Sequence, residues 1–238
     1  MINLGNMSIA DLRLGASQVK ALYLGSEQIW GGEEPVPTAE PLCFTAEQAN
    51  STVRLDKNGS PDAISLETST DGTSWTDYSW TDSTGDTLTL ANVGDKVYMR
   101  AKTENQTIGS SNSNYYKFVM TGKIAASGNI QTLLKADGSR TDAPANCFRY
   151  LFRSCTSLTT APALPATTLA DSCYYSMFNG CTSLNSVEVA FTDWNPTNAT
   201  TKWLAFTPAS GTFTCPAELS DIRDESHIPT GWRKVDAA

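Results

Sequence analysis

Cys147-Phe148-Arg149-Tyr150-Leu151-Phe152-Arg153-Ser154-Cys155-Thr156-Ser157-Leu158 returns, 26 residues on, as Cys173-Tyr174-Tyr175-Ser176-Met177-Phe178-Asn179-Gly180-Cys181-Thr182-Ser183-Leu184. The offset holds at every position, so residues 144–215 contain an internal repeat, and a fixed period of this length is the mark of a stacked-repeat architecture. Within each copy the apolar residues fall at i, i+1, i+4, i+5 and i+8 (Cys147, Phe148, Leu151, Phe152 and Cys155 in the first). That spacing predicts one face of a short helix. Asp142 and Thr168 stand just before the two segments, with Asp171 three residues after Thr168, and are expected to act as N-caps.

Each copy is followed by a short extended run, Thr159–Leu164 and then Ser186–Phe191. A third, degenerate unit is expected at Ala199–Phe206, helix-like, followed by a strand at Gly211–Cys215. One helix and one strand per 26 residues is the signature of a leucine-rich-repeat solenoid. Only about three units fit, and terminal units of such arrays need caps; Ile124–Leu134 and Pro216–Trp232 are the candidates.

Upstream, residues 42–122 predict six short strands: Leu42–Thr45, Ser51–Asp56, Ile64–Ser69, Thr87–Leu90, Lys96–Lys102 and Asn114–Met120. Val53/Leu55, Ile64/Leu66, Leu88/Leu90 and Val97/Met99 alternate with period two, and Gly-, Asn- and Asp-rich turns separate the runs. This pattern suggests an immunoglobulin-like β-sandwich. Trp75 and Tyr78 are read as core anchors or as hairpin-edge residues. Residues 1–32 read as a small β module of three short strands, too small to hold a core alone. The Gly/Pro/acidic stretch Gly31–Pro37 reads as a linker, bounded here as residues 33–41. The expected fold class is therefore mostly β with short helices, the last domain spanning residues 123–238.

Composition narrows the function. The chain has 238 residues, with 17 basic against 25 acidic side chains and a formal net charge of −8, which argues against a protein that tracks nucleic-acid phosphates. Ser and Thr number 24 and 30, favouring strands and turns. Met1–Met7 carries no basic n-region or apolar run, and no stretch approaches a membrane span, so synthesis without a secretory signal is expected. Cys43, Cys147, Cys155, Cys173, Cys181 and Cys215 are expected as buried thiols of a reducing compartment, and the C-x7-C spacing of Cys147/Cys155 and Cys173/Cys181, repeated at a fixed offset, stacks small apolar side chains and lacks the knuckles of a zinc site. The single histidine, His227, has no nucleophile elbow to serve and reads as a surface or cap residue. Asp221/Asp224/Glu225 and Asp82/Asp86 read as loop carboxylates rather than a glycosidase pair. Asp56–Gly59 and Asp71–Thr73 read as turns rather than calcium loops. No catalytic residue, metal site or cofactor is expected. Tyr150, Tyr175, Trp194 and Trp203 are the candidate partner contacts, with packing between repeat units the competing reading.

The repeat copies, together with Phe191–Asn195 (FTDWN) and Ile228–Trp232 (IPTGW), resemble the surface-antigen-type (BspA-like) leucine-rich repeats of gut bacteria and their phages over residues 123–232. The resemblance implies a solenoid used in adhesion. Ile9–Gly32 resembles the N-terminal segment of many phage tail, baseplate and fibre proteins; Lys20, Leu22, Tyr23, Gly25, Ser26, Ile29 and Trp30 match its pattern. That implies a module fixing a distal domain to the virion. The resulting expectation is a structural phage protein, part of a head or tail fibre, that assembles in the bacterial cytoplasm. Its expected partners are capsid or tail proteins and a host-surface glycan or protein. Fibre proteins are commonly homotrimers, so a homo-oligomer is expected. A secreted or cell-surface bacterial adhesin of the same repeat family is the alternative.

Overall fold

A computed structural model describes residues 39–237, and in the first 38 residues the backbone of four short strands. There, Arg13–Leu14 pairs with Ser17–Gln18, and Ala21–Leu24 with Glu27–Gly31, both antiparallel. Met1–Thr38 and Ala39–Ala238 are separate compact units. The larger is mostly β.

Its first part, residues 42–121, has two facing layers. Strict alternation places Val53, Leu55, Tyr116 and Phe118 inward from Ser51–Asn58 and Tyr115–Thr121, which pair antiparallel and form one layer with Leu88–Leu90. The opposite layer contains Leu42–Ala46, Lys96–Ala101, Leu66–Ser69 and Thr76–Asp77. Between the layers, Phe44 meets Phe118 edge to face with ring centroids 5.0 Å apart. Tyr78 is buried here: its hydroxyl accepts from the Leu55 amide (2.7 Å) and donates to the Asp86 carbonyl (2.9 Å). Trp75 is half-buried, with the Arg100 guanidinium 3.8 Å from its ring centroid.

The second layer does not stop at residue 122. Ile124–Ser127 pairs antiparallel with Leu42–Ala46 on one side and parallel with Leu158–Thr160 on the other. Ser186–Glu188, Gly211–Cys215 and Trp232–Asp236 then follow in parallel, completing a nine-stranded sheet. The boundary expected between 122 and 123 is thus crossed by one sheet and one continuous core.

The repeat segments are not helices, and this corrects the expectation for 147–155 and 173–181. Both run as successive turns with a left-handed residue at every fourth position: Asn146, Tyr150 and Ser154, then Ser172, Ser176 and Gly180. Half of the amides close local turns, as Arg149 to the Asn146 carbonyl and Leu151 to Phe148. The alternate amides cross to the next copy. Phe148, Tyr150, Phe152 and Ser154 donate to the carbonyls of Cys173, Tyr175, Met177 and Asn179, at 2.8 to 3.1 Å. Tyr174, Ser176, Phe178 and Gly180 do the same toward Ala199, Thr201, Trp203 and Ala205. A helix spends its amides internally; here they cement one copy to the next. Asp142 and Thr168 cap nothing: they lie opposite each other in the paired strands Asp142–Ala143 and Thr168–Leu169. Among the described residues the one helical element is a single 3₁₀ turn, Ile130–Leu133, capped by the Asn129 side chain, which accepts from the Gln131 amide.

The first row of turns is closed by the layered half. The Phe118 amide donates to the Leu151 carbonyl (2.7 Å), so Tyr115–Thr121 occupies the place a preceding copy would take. Phe118, Phe152 and Phe178 stack in sequence, at centroid distances of 4.9 and 5.4 Å. The thiols follow the same rule: Cys155 donates to the Phe118 carbonyl (3.2 Å) and Cys181 to that of Phe152 (3.0 Å). All six cysteines are buried as free thiols.

Candidate functional site

The sequence singled out Tyr150 and Tyr175 separately, and the stacked turns bring them together. The Tyr150 amide donates to the Tyr175 carbonyl (3.1 Å), which fixes the two residues one above the other. Their rings meet edge to face at 5.6 Å. A third ring, Tyr115, comes from the neighbouring strand and lies 4.7 Å from Tyr150. All three are half-buried, leaving part of each ring open to water. Tyr150 holds φ at 60°, a left-handed value that a bulky side chain adopts only at a cost. Gly109 lets the adjacent loop close in: a Cβ there would stand 2.8 Å from the Asn146 carbonyl oxygen and 3.6 Å from the Tyr115 Cβ.

Two arginines complete the group. The Arg149 guanidinium lies 4.0 Å from the Tyr175 centroid and 5.1 Å from that of Tyr150; Arg153 lies 5.0 Å from the Tyr150 centroid. Cations in these positions gain from the ring quadrupole. Arg149 is 7 % exposed, its Nη1 donates to Asn146 Oδ1 (2.7 Å), and its buried Nε has no partner. Elsewhere in this acidic chain most described arginines have carboxylates beside them: Arg54 has Asp56, Arg100 has Glu67, Arg140 has Asp142 and Arg223 has Asp221, while Arg233 stands exposed on the last strand. Arg149 and Arg153 have tyrosines instead, with no carboxylate of the described residues in salt-bridge range. Lys117, two residues along the strand from Tyr115, adds a third cation on the same side. Chemically the arrangement offers aromatic faces, guanidinium donors and positive charge.

Trp194 and Trp203, expected as partner contacts, are core residues, and that expectation is corrected. Trp203 has no exposed surface; it stands at the position of Leu151 and Met177 in the third unit, stacked on Tyr174 at 6.1 Å, and its Nε1 donates to the His227 carbonyl. Trp194 is 7 % exposed and its Nε1 donates to the Ser220 carbonyl (2.9 Å). His227 closes this end: its Nδ1 lies 2.7 Å from Asp224 Oδ1 and its ring meets Trp194 edge to face at 4.8 Å. Of the attachment residues, Lys20, Gly25 and Ser26 lie outside the described residues. Leu22, Tyr23, Ile29 and Trp30 fall in the paired backbone, Leu22 opposite Trp30 and Tyr23 opposite Gln28; their side chains lie outside it as well.

Tyr115, Lys117, Arg149 and Arg153 were not read from the sequence. Tyr115 belongs to a strand that the sequence assigned to another domain, and the bonding of that strand's edge to the first row of turns is what brings it to Tyr150. The remaining concavities are shallower in chemistry. A cleft of about 410 Å³ between residues 62–65 and 103–107 is lined in part by buried Asn105, whose side chain bonds to the Ser65 backbone and the Leu133 carbonyl. Among the described residues, no three His, Cys, Asp or Glu side chains converge as metal ligands. Comparison with protein-family models, curated proteins and solved structures returns no match.

Proposed function

We propose that this chain is a structural protein of a phage particle, a head- or tail-fibre or decoration component, fastened by residues 1–32 and touching the bacterial surface with the rest. In this reading residues 42–122 are an immunoglobulin-like sandwich and residues 123–238 a short BspA-like leucine-rich-repeat solenoid. Opposed layers with alternating inward residues support the first, and copies bonded at a 26-residue offset support the second. The function is binding, with no catalytic step, and several copies on one particle multiply a weak contact.

The observation that supports the reading is the division into two units. Met1–Thr38 is a compact unit of its own, and the half-open tyrosine–arginine group belongs to the other unit. One piece fastens and the other touches. Tyrosine and arginine are the residues most enriched where binding energy concentrates. The test is quantitative mass spectrometry of purified phage particles from cells that make the chain. The full chain is expected at fixed stoichiometry to capsid and tail proteins, and a chain lacking residues 1–32 is expected to stay in the soluble fraction. Recovery in the bacterial envelope with none on particles overturns the proposal in favour of a bacterial adhesin.

A further inference from the structure

We infer that Tyr115, Tyr150 and Tyr175, with Arg149 and Arg153, form a binding site for a carboxylated saccharide. This deepens the proposed reading by naming the chemistry that the touching surface recognises.

The charge comes first. In a chain of net charge −8, most described arginines are beside carboxylates, yet two guanidiniums within about 5 Å of a single ring are not. Stacking holds them in place but leaves their donors unused; Arg149 spends one on Asn146, and its buried Nε has none. A guanidinium with spare donors is matched by a carboxylate, which accepts two parallel N–H bonds. Arg153, exposed and held over Tyr150, is placed to give that fork. Arg149, mostly buried beneath it, contributes charge and rigidity rather than direct contact.

The rings decide what carries the carboxylate. Tyr115, Tyr150 and Tyr175 form a short row, with successive centroids 4.7 and 5.6 Å apart, so each ring sits close to the next. Partly open tyrosines offer an apolar face to the C–H side of a sugar ring and a hydroxyl to its polar edge. A protein partner would ask for something different, an apolar centre of standard interface size. Among the described residues the exposed large apolar ones are Val93, Phe206 and Ile222, none of them in the two copies that carry the tyrosines. One four-residue turn along the rows from Tyr150 and Tyr175 stand the polar residues Asn146, Ser154 and Asn179, of which Asn146 accepts from Arg149 and Asn179 donates to the Lys202 carbonyl.

The experiment uses the purified full chain and isothermal titration with short oligogalacturonates and oligosialic acid. Methyl-esterified oligogalacturonate and oligoglutamate serve as the neutral-sugar and acidic-peptide comparisons. Binding to at least one carboxylated saccharide is expected, with none to the ester or the peptide. Arg153→Gln should weaken it by about tenfold or more, the worth of one charge-assisted contact, and Tyr175→Leu should weaken it by removing the ring face and hydroxyl. Arg233→Gln removes an equal charge from an exposed position on the last strand and should leave binding unchanged. Equal binding of acid and ester, equal binding of oligoglutamate, equal loss in Arg153→Gln and Arg233→Gln, or no saccharide binding overturns the inference. Circular dichroism of each variant separates lost binding from lost folding. Particle association is measured on a different sample, so failure here leaves the virion reading intact.

Discussion

Phe152 and Phe178 occupy matching places in the two copies and stack on each other, whereas Arg149, Tyr150 and Arg153 of the first copy become Tyr175, Ser176 and Asn179 in the second. Inward positions repeat because each ring packs on its counterpart 26 residues away, and a change of size would open a gap in a column. The other positions are held less strictly: Arg149 stacks on its counterpart Tyr175 although the residue type differs, and Arg153 is exposed. The divergence there puts guanidiniums above one tyrosine and beside another, which a perfect repeat would not do. The two copies therefore show where the fold constrains the sequence and where function is free to write on it.

The comparison breaks most visibly at the columns. Phe152→Ala and Phe178→Ala should each cost about 3–5 kcal/mol, read from the urea midpoint. Phe152 should be the worse loss, since it lies between Phe118 and Phe178, while Phe178 has a stacked ring on one side and tilted Trp203 on the other. Both changes should lower the transition seen by probes in residues 42–121 as well, because one core runs through both halves. Two separate transitions would sink that claim.

Alkaline pH tests the thiols that the copies share. Burial pushes Cys147, Cys155 and Cys173 from 9.0 up to about 12. Folded thiols then stay protonated where unfolded ones ionise. Their share of the stability is whole below about pH 9 and is lost as pH rises toward about 12. Urea midpoints under reducing conditions should fall through that window, and a flat profile would contradict the burial.

Tyr174 and Phe148 sharpen the comparison at one atom. They match in position, but the Tyr174 hydroxyl is buried with no partner. Tyr174→Phe should stabilise the protein by about 1 kcal/mol, because it removes an unsatisfied donor and keeps the ring. A loss of stability would reveal a partner for that hydroxyl.

The smallest effect concerns the left-handed corner. Gly180 has φ 78° and Ser154, its counterpart, has φ 61°. A Cβ at Gly180 would meet nothing nearer than 3.5 Å, so backbone strain alone is at issue. Gly180→Ala should cost, and Ser154→Gly should gain, about 0.5–1 kcal/mol in thermal melts.

Much of the architecture was legible. All six strands of residues 42–122 appear within two residues of their expected ends, because alternation and Gly/Asn/Asp turns leave little choice. The stacking of the copies followed from identical spacing. The helices did not materialise because apolar residues at i, i+1, i+4, i+5 and i+8 suit a four-residue turn repeat as well as a 3.6-residue helix, and nine residues are too few to tell them apart. Asn146 at the start of the first row and Gly180 at the end of the second were the available hint, since Asn and Gly favour left-handed backbone. Trp203 was misplaced although Leu151, Met177 and Trp203 stand 26 residues apart in turn, which already puts it inside. The candidate site was half legible: Tyr150 and Tyr175 by their position off the apolar stripe, Tyr115 not at all, since it arrives through a sheet edge far away in sequence.

Each copy turns its amides toward the carbonyls of the next and offers its own carbonyls to the one before. A tandem duplication of one period in the gene would therefore be accepted as one more storey, slotted in above the base and below the C-terminal end. The molecule would grow by about 4.8 Å per insertion, the ordinary spacing between paired strands. Its reach is an adjustable length, open to tuning by copy number without redesign of either end.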